Sequence, residues 1–390
     1  MKVKLNLLTK LVLGIAIGIG IGLLHELRLV QLLATVNTVF GEFLKFCIPL
    51  ILLGFITPGI ANLEKSAGKI LLLTAGIAYA STVLSGIFAF QINQWVFPKL
   101  LGAAHSLEAF ENPEEGLVQG LFSIHIPPIV NVMSALLLAF LLGLGIATAE
   151  NKTLRNWSNE FQTVVQYIIN GFIIPILPIH IAGIFANMTY TGKILPILLV
   201  FFKVFGVIIL LHLLVIIALF LIAGAVGRRS PIALLKNMLP AYFTAIGTQS
   251  SAATLPVTLS CCEKNKVSPQ ISSFVAPLCA NIHMPGSTIT LVSCSMAIMM
   301  MTDTTFETGS MLQFIFLLAL TMIASPGVPG GSVMSALGLL QTVLGFNEAL
   351  IGLMIALYLA QDSFGTACNV TTDGALAVII DEFTLKNKKK

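Results

Sequence analysis

Long apolar stretches separated by short charged loops run through most of the chain. Seven windows carry no Asp, Glu, Lys or Arg: 70–98, 116–149, 161–192, 204–227, 237–262, 267–302 and 308–347. A helix needs about 20 apolar residues to span a bilayer, so several windows can hold a tilted span or a span with a re-entrant segment. The pattern predicts eight spanning helices, near 8–27, 33–62, 69–97, 125–149, 156–188, 192–225, 270–301 and 345–380.

The composition excludes an ordinary water-soluble protein. Of the 390 residues, 56% are hydrophobic and only 10% are charged, whereas soluble domains carry about 25% charged residues. So few charges cannot cover a water-facing surface, and a bilayer must therefore surround much of the chain. The six cysteines lie in apolar or small-residue contexts without metal-ligand spacing, which predicts buried thiols. We expect an all-α integral membrane protein.

The positions of the charges predict how the chain sits in the membrane. Basic clusters occur at Lys2/Lys4/Lys10, Lys65/Lys69, Lys152/Arg155, Arg228/Arg229/Lys236, Lys264/Lys266 and Lys386/Lys388/Lys389/Lys390. Basic loops face the cytoplasm, so both termini are expected there, in a multi-pass protein of the inner or plasma membrane. The basic tail could instead suggest nucleic acid or lipid headgroups. Topology explains it better, and membrane lipid rather than nucleic acid is the expected surrounding partner.

Two apolar segments are too broken to be simple spanning helices. Residues 237–262 contain Pro240, Gly247 and a run of hydroxyl side chains, and residues 308–347 contain the sequence SPGVPGGS at 325–332. In hydrocarbon such a break is tolerated only where protein surrounds it or where it lines a wet cavity. Paired Gly/Pro-interrupted segments in matching positions are typical of an inverted-repeat transporter. We predict two re-entrant helical hairpins entering from opposite sides; two ordinary kinked helices are the alternative.

Four polar residues share one face of the last predicted helix. Asp362, Thr366, Asn369 and Asp373 follow one another at spacings of four, three and four residues. At about 100° per residue, these spacings confine them to a stripe roughly 60° wide. An ionisable group inside a membrane helix is costly and by default marks a substrate or ion path. Two carboxylates on one stripe repel each other unless cations such as a substrate ammonium and a metal ion separate them. A structural polar seam against another helix is the alternative.

Further polar groups lie in the two predicted hairpins and in the seventh predicted helix. Ser250 and Ser251 stand at the start of a half-helix, where they could form an anion-binding cup or a plain helix cap. The backbone carbonyls of 325–332 suit Na⁺. The break over 281–287 adds more carbonyls together with His283, which could relay protons or be a hydrogen-bonded interior residue.

Four motifs occur together in order: SSAATLPVT at 250–258, PLCA at 277–280, PGVPGGS at 326–332 and QDSFGTACNVTTD at 361–373. With the hydropathy of nearly the whole chain, they resemble the dicarboxylate/amino acid:cation symporter family, the bacterial relatives of glutamate transporters. In pattern they are closest to its serine/threonine:Na⁺ branch. The resemblance implies a homotrimer with an elevator fold of eight spans and two opposed hairpins. It also implies one membrane domain over 1–390, with a scaffold at about 1–68 and 120–190 and a moving transport part at about 69–100 and 192–384.

The resemblance implies roles for individual residues. Asp362 matches the aspartate that holds a substrate amino group, and Asp373 matches the aspartate of a buried Na⁺ site. The implied substrate-binding residues are Ser250, Ser251, Ser287, Val328, Pro329, Gly330, Asp362, Gly365, Thr366 and Asn369. The implied ligands of two Na⁺ sites are Asn369, Asp373, His283, Asn281, Met284, Met322, Ile323 and Ser325.

One departure from the family pattern narrows the expected substrate. Members that carry acidic substrates have an arginine three residues after the amino-group aspartate. This chain has Gly365 there, and no Lys or Arg lies between Lys266 and Lys386. A second carboxylate would enter a low-dielectric pocket without a partner, at a cost on the order of several kcal/mol. We therefore expect Na⁺-coupled uptake of a small neutral amino acid such as serine, threonine or alanine. The alternative is an acidic amino acid or dicarboxylate symporter, with H⁺ coupling as a further option.

A second departure lies in the seventh predicted helix. Where the family has asparagine-methionine-aspartate-glycine-threonine, this chain has HMPGS at 283–287. Tyr79 and Thr82 match partners of a third Na⁺, but Val83 follows where a serine is usual, and the family's aspartate is missing. We expect that third site to be lost, or His283 to support proton coupling. The six histidines are scattered and form no nucleophile–base pair or metal cluster, so an enzyme is not expected. A passive channel is a further alternative.

Overall fold

Helices make up all the regular structure in the computed structural model, which describes residues 7–62, 68–101, 118–149, 152–192, 194–302, 304, 307–323, 325 and 329–388. The α-helices in these ranges are α1 Leu7–Leu23, α2 Leu27–Ala61, α3 Gly68–Leu101, α4 Val132–Ala149, α5 Lys152–Ile168, α6 Ile174–Tyr190, α7 Ile194–Gly227, α8 Pro231–Thr248, α9 Ser251–Lys264, α10 Pro269–Ile282, α11 Pro285–Met301, α12 Thr308–Met322, α13 Gly331–Thr342 and α14 Glu348–Lys388. A π-helical turn, Ile169–Ile173, joins α5 to α6. The prediction of an all-α chain is confirmed.

Six helices in the described part of the chain are long and apolar enough to cross a membrane: Leu27–Ala61, Ile70–Leu101, Lys152–Tyr190, Val200–Gly227, Pro269–Met301 and Glu348–Thr384. Shorter apolar helices cover Thr9–Leu23, Leu137–Ala149 and Thr308–Met322. The apolar windows of Pro269–Met301 and Glu348–Thr384 are 94% and 83% buried, against 33% for the most hydrophobic helix, Val200–Gly227. The helices that carry the candidate polar residues therefore lie inside the protein, as intramembrane ionisable groups require.

The fourth predicted span is shorter than expected. The prediction of a helix over 125–149 is wrong at its start, because α4 begins only at Val132. The two prolines of IPPI at 126–129 remove backbone donors and block a helix there. Residues 118–131 have no regular structure, and side chains of neighbouring helices bond parts of their backbone instead. Asn187 of α6, for example, bonds both the N–H and the C=O of Val118 at 2.9 Å.

The breaks predicted in three apolar segments are present. Helices α8 and α9 meet at Gln249, whose backbone is left-handed with φ 53°. Gly330 precedes α13 with φ 74°, a conformation that glycine adopts without strain. His283 and Met284 lie outside the helical conformation between α10 and α11. The side from which each helical pair enters a membrane stays a prediction.

Helix α14 joins two hydrophobic cores. Residues 351–359 pack into the larger core together with residues of α2, α11 and α13. Most apolar residues of 367–380 pack into a second core with α8, α9 and α10. Asp362 lies between these two stretches, and Asp373 lies within the second. Their exposed fractions are 4% and 1%. Burial in two packed cores fixes the position of the polar stripe relative to α10, α11 and both helical pairs.

Candidate binding site

The Asp362 carboxylate meets the segment that links α12 to α13. Its Oδ2 accepts the backbone N–H of Gly330 at 2.7 Å, and the Thr366 hydroxyl one turn later also bonds to it. An ammonium pairs with a carboxylate more strongly than a neutral N–H does. An ammonium could therefore compete with the Gly330 N–H for this carboxylate, and substrate binding by Asp362 stays a prediction.

Tyr358 belongs to the same stripe, and the sequence prediction missed it. Its hydroxyl donates to Ser287 Oγ at 3.0 Å and also contacts Asp362 and Ser332. The side chain is fully buried. Tyr358 precedes Asp362 by four residues, which is the spacing that defines the stripe, so the same pattern could have found it. It was hidden because the run before Asp362 is otherwise apolar.

Asn369 holds the first turn of α11 against α14. Its Oδ1 accepts the N–H groups of Gly286 at 2.8 Å and Ser287 at 3.3 Å, and its Nδ2 donates to Ser287 Oγ at 2.9 Å. These first N–H groups have no partner within their own helix, so the amide acts as a cap. A Cβ at Gly286 would collide with the carbonyl oxygen of Gly365, so the close approach needs glycine. The structure thus brings together Ser287, Gly365 and Asn369, as predicted.

Gly365 itself is not required by packing. A Cβ at this position would lie 3.5 Å from Thr290 Oγ1 and 3.6 Å from the nearest backbone atoms of Gly286 and Ser287. These are ordinary van der Waals distances. The missing side chain therefore calls for an explanation other than steric fit.

The junction of α8 and α9 reaches α14 through a glutamine rather than through its serines. Gln249 Nε2 donates to Ser363 Oγ at 2.8 Å. Ser250 is the N-cap of α9, where its hydroxyl accepts the N–H of Ala253 at 3.2 Å. Ser251 begins α9 and is buried. Of the two interpretations of this serine pair, the helix cap is present, and a role in substrate binding stays a prediction.

Asp373 is engaged by a histidine. His283 Nδ1 lies 2.8 Å from Asp373 Oδ1, and His283 Nε2 lies 3.0 Å from Ser81 Oγ on α3. The two side chains are 0% and 1% exposed. The interruption between α10 and α11 lets the ring reach both α3 and α14. His283 is therefore a hydrogen-bonded interior residue, and Na⁺ ligation by Asp373 stays a prediction.

The second predicted Na⁺ site has oxygen groups of the kind that a hard cation needs. Helix α10 ends at Ile282 and α12 at Met322, and the last carbonyls of a helix lack partners within it. Ile323 packs against the core to which α10 contributes. Ser325 is 2% exposed, and its buried Oγ has no hydrogen-bond partner. Oxygen groups of this kind suit Na⁺ chemically, and the contribution of the Asn281 carbonyl stays a prediction.

Met284 links the interrupted helix to its neighbours. Its N–H donates to Thr82 Oγ1 at 3.4 Å, and its sulfur accepts the Ser332 hydroxyl at 3.3 Å. Ser332 lies at the start of α13, close to Gly330. The thioether therefore lies beside the segment that also contacts Asp362, and its contact with Na⁺ stays a prediction.

Some predicted residues are not brought to the stripe. The Tyr79 hydroxyl donates to the carbonyl of Phe316 on α12 at 3.4 Å, and on α3 it is Ser81 that reaches His283. Pro329 is half-buried beside Gly330. Val328 lies outside the described residues.

A cavity of about 420 Å³ lies away from this stripe. It is bounded by α2, α6 and the start of α14, with Asn37, His180 and Glu348 in its wall. Asp362, by contrast, is closed over by Gly330. The Asp362 carboxylate is therefore covered by protein in this structure.

Comparison with known proteins decides the family. The model of the sodium:dicarboxylate symporter family matches residues 7–383. The chain belongs to this family. The serine/threonine transporter SstT of Acinetobacter baumannii is 26% identical over 400 residues, which cover 97% of each chain. The putative sodium-dependent excitatory amino acid transporter glt-4 of Caenorhabditis elegans is 26% identical over 259 residues, covering 65% of this chain and 51% of that protein.

Membership confirms the resemblance inferred from the four sequence motifs. The chain is a multi-pass membrane transporter of a sodium-coupled family, and that family is not one of enzymes. The two relatives carry different substrates in their names, one hydroxylated and neutral, the other excitatory. The substrate must therefore be argued from the residues of this chain.

Proposed function

We propose that the chain is a secondary active symporter that couples inward Na⁺ movement to uptake of a small neutral amino acid, such as serine, threonine or alanine. The observation that carries the proposal is the setting of Asp362. Its buried carboxylate is bonded to an N–H that an ammonium can replace, and three residues later Gly365 supplies no cation. This combination suits one positive charge and one α-carboxylate, without a second acidic group.

Neutral donors near Asp362 suit the rest of such a substrate. The Thr366 hydroxyl, the Asn369 amide and the Ser287 hydroxyl are neutral groups that can bond an α-carboxylate or a substrate hydroxyl. A second carboxylate would need a cation to offset its desolvation. No Lys or Arg lies between Lys266 and Lys386, a stretch that holds α10 to α13 and the part of α14 up to residue 385. An acidic substrate is therefore disfavoured.

The link between α12 and α13 supports sodium coupling, because it holds one group for Na⁺ and one for the substrate site. Ser325, in the proposed Na⁺ site, and Gly330, on Asp362, both lie in the link between α12 and α13. Na⁺ binds at the Ser325 end of this link, and the substrate binds beneath the Gly330 end. Each ligand then favours the same arrangement of the link, and by linkage each raises the affinity of the other.

The movement proposed is an elevator in a homotrimer. Within the described residues, α1, α2, α4, α5 and α6 pack on one another, whereas α14 packs chiefly on α7, α8, α9, α10 and α11. This division supports a scaffold at about 1–68 and 120–190 and a transport part at about 69–100 and 192–384. Helix α4 exposes Leu137, Leu141 and Leu144 on one face, which suits a contact with other subunits through the scaffold.

The proposed location is the inner or plasma membrane, with both termini in the cytoplasm. Basic residues at 228–229 and 264–266 flank the α8–α9 pair and support its entry from the cytoplasmic side. Reporter fusions at the C-terminus and at 303–307 test this arrangement. The expected result is a cytoplasmic signal from the first fusion and an external signal from the second.

A substrate-competition panel in proteoliposomes tests the function. Uptake of labelled serine is measured with an inward Na⁺ gradient and with the same gradient of choline, against unlabelled threonine, alanine, aspartate and succinate. We expect Na⁺-dependent uptake that threonine and alanine inhibit strongly and the two acidic compounds inhibit weakly. Stronger inhibition by aspartate or succinate than by serine itself would replace the proposed substrate with an acidic one. Unsaturable, Na⁺-independent flux would indicate a channel.

A further inference from the structure

The Asp373 carboxylate and the His283 imidazole form a closed pair in the protein interior. His283 Nδ1 lies 2.8 Å from Asp373 Oδ1 and Nε2 lies 3.0 Å from Ser81 Oγ, so both ring nitrogens are used. The ring hydrogen on Nδ1 suits both contacts, because Nδ1 then donates to the carboxylate and Nε2 accepts from the hydroxyl. Several buried side-chain atoms among the described residues have no partner, including Ser325 Oγ and Thr371 Oγ1. No atom of Asp373 or His283 belongs to that group. Both ring nitrogens and Asp373 Oδ1 therefore have partners within the protein.

The chemistry around Asp373 does not suit sodium. Hard cations take oxygen ligands, whereas imidazole nitrogen suits transition metals. Here the group on Asp373 Oδ1 is a ring nitrogen. The next two residues, Met284 and Pro285, add no side-chain oxygen, and the Met284 sulfur is occupied by Ser332. A sodium ion bound to Asp373 Oδ1 would compete with the imidazole Nδ1 for that oxygen.

The predicted Na⁺ site at the end of α12 differs from the Asp373–His283 pair, because it contains a buried oxygen without a partner. Ser325 Oγ is buried and lacks a hydrogen-bond partner, whereas the backbone N–H of Ser325 donates to the Met322 carbonyl at 3.1 Å. That carbonyl oxygen keeps a second lone pair with which it can contact a cation. An unsatisfied buried oxygen gains from a cation, whereas a satisfied pair loses from one. The two sites predicted for sodium therefore differ in their need for it.

We infer that the side chain of His283 takes the place of sodium at Asp373, so that Asp373 is not a sodium ligand in this chain. Sodium then binds at the oxygen groups around Ser325. The inference concerns the ion sites of the proposed symporter and rests on that proposed function for the sodium coupling. It reassigns Asp373 from ion binding to fixing α10, α11 and α3 against α14.

The test is a sodium titration of the purified full-length protein without substrate. The melting temperature is followed as NaCl replaces choline chloride at constant ionic strength, for wild type, Asp373→Asn and Ser325→Ala. We expect Asp373→Asn to melt lower at every sodium concentration but to keep its sodium midpoint within about twofold of wild type. Ser325→Ala should raise the midpoint, whereas its melting temperature without sodium changes little. A midpoint raised about tenfold or more in Asp373→Asn, about 1.4 kcal/mol of lost binding, would overturn the inference.

A second variant decides the matter if Asp373→Asn does not fold. His283→Asn removes the ring and adds an amide oxygen beside the carboxylate, which makes the site suitable for sodium. We expect its melting temperature to depend more steeply on sodium concentration than that of wild type. An unchanged steepness contradicts the replacement of sodium by the imidazole.

Failure of the proposed function gives a different result. If sodium does not stabilise the wild type at all, the sodium coupling is wrong, while Asp373 is still not a sodium ligand. If sodium stabilises the wild type through Asp373, the coupling stands and this inference fails.

Discussion

The two aspartates of α14 are alike in residue type, helix face and burial, but they differ in the kind of partner they have. Asp362 is bonded to the backbone N–H of Gly330, in the link between α12 and α13. Asp373 is bonded to the side chain of His283, which also bonds to Ser81. The first partner can be exchanged for a ligand without leaving a side chain unsatisfied. The second cannot, because removing either member leaves a buried polar group alone.

This difference assigns the two carboxylates to different tasks. A site that binds and releases substrate needs a partner that can leave, and a segment that moves supplies one. A fixed side-chain pair instead holds the helices around the site in register. Substitutions at Asp362 should therefore reduce transport, whereas substitutions at Asp373 or His283 should reduce stability.

The largest expected effect is the loss of uptake in Asp362→Asn. The amide keeps the shape but no longer balances a buried ammonium, and losing one partner of a buried charge pair costs about 3–5 kcal/mol. Uptake efficiency for serine should fall on the order of 10²–10³-fold, with little change in melting temperature. Initial rates in proteoliposomes and a melting curve in detergent check both parts. Serine uptake within a few-fold of wild type would mean that the ammonium binds elsewhere.

The second-largest expected effect is a loss of stability in His283→Ala. His283→Ala should lower the unfolding free energy by about 3–5 kcal/mol, because Asp373 is left buried and unpaired. The readout is the apparent melting temperature, in a cycle with Asp373→Ala and the double variant. We expect the double variant to be less destabilised than the sum of the single ones. Strict additivity of the two single effects would show that the pair is not coupled.

A smaller effect concerns substrate choice. Gly365→Arg places a guanidinium where the chain has room for a Cβ, at 3.5 Å from Thr290 Oγ1. A cation there offsets a second carboxylate, so the ratio of aspartate to serine uptake should rise by about tenfold or more. Gly365→Gln is the matched control, because it adds similar bulk without charge. An equal change in both variants would assign the effect to bulk alone.

The smallest effect is expected at Tyr358. Tyr358→Phe removes the hydrogen bond to Ser287 Oγ, and a net contribution of about 0.5–1.5 kcal/mol predicts a two- to tenfold weaker serine uptake. The control is Tyr190→Phe at the end of α6, where the ring contacts His25 away from α14. Equal uptake by Tyr358→Phe and wild type would remove Tyr358 from the site.

Local patterns predicted the helices and their breaks. Hydropathy placed a span at 192–225, and α7 occupies Ile194–Gly227. The glycines and prolines of 325–332 marked the link before α13, because these residues interrupt helices wherever they occur. The helix start at Val132 was missed because hydropathy was followed across Pro127 and Pro128, although these prolines block a helix there.

Part of the candidate site was also predictable from local residue spacing. The stripe from Asp362 to Asp373 follows from spacing alone, and the same spacing extended backwards would have reached Tyr358. The partner of Asp373 could not be read from the pattern. His283 is 90 residues away in sequence and reaches α14 only because the chain leaves the helical conformation between α10 and α11.

The most direct measurement follows sodium and serine together. Proteoliposomes containing the wild-type protein are given an inward Na⁺ gradient, and the entry of radioactive sodium and labelled serine is recorded in the same vesicles. We predict that serine accumulates above its external concentration only while the gradient lasts, with sodium entering in a fixed ratio to serine. Serine accumulation without a sodium gradient, or serine entry without sodium entry, would contradict sodium-coupled uptake of a neutral amino acid.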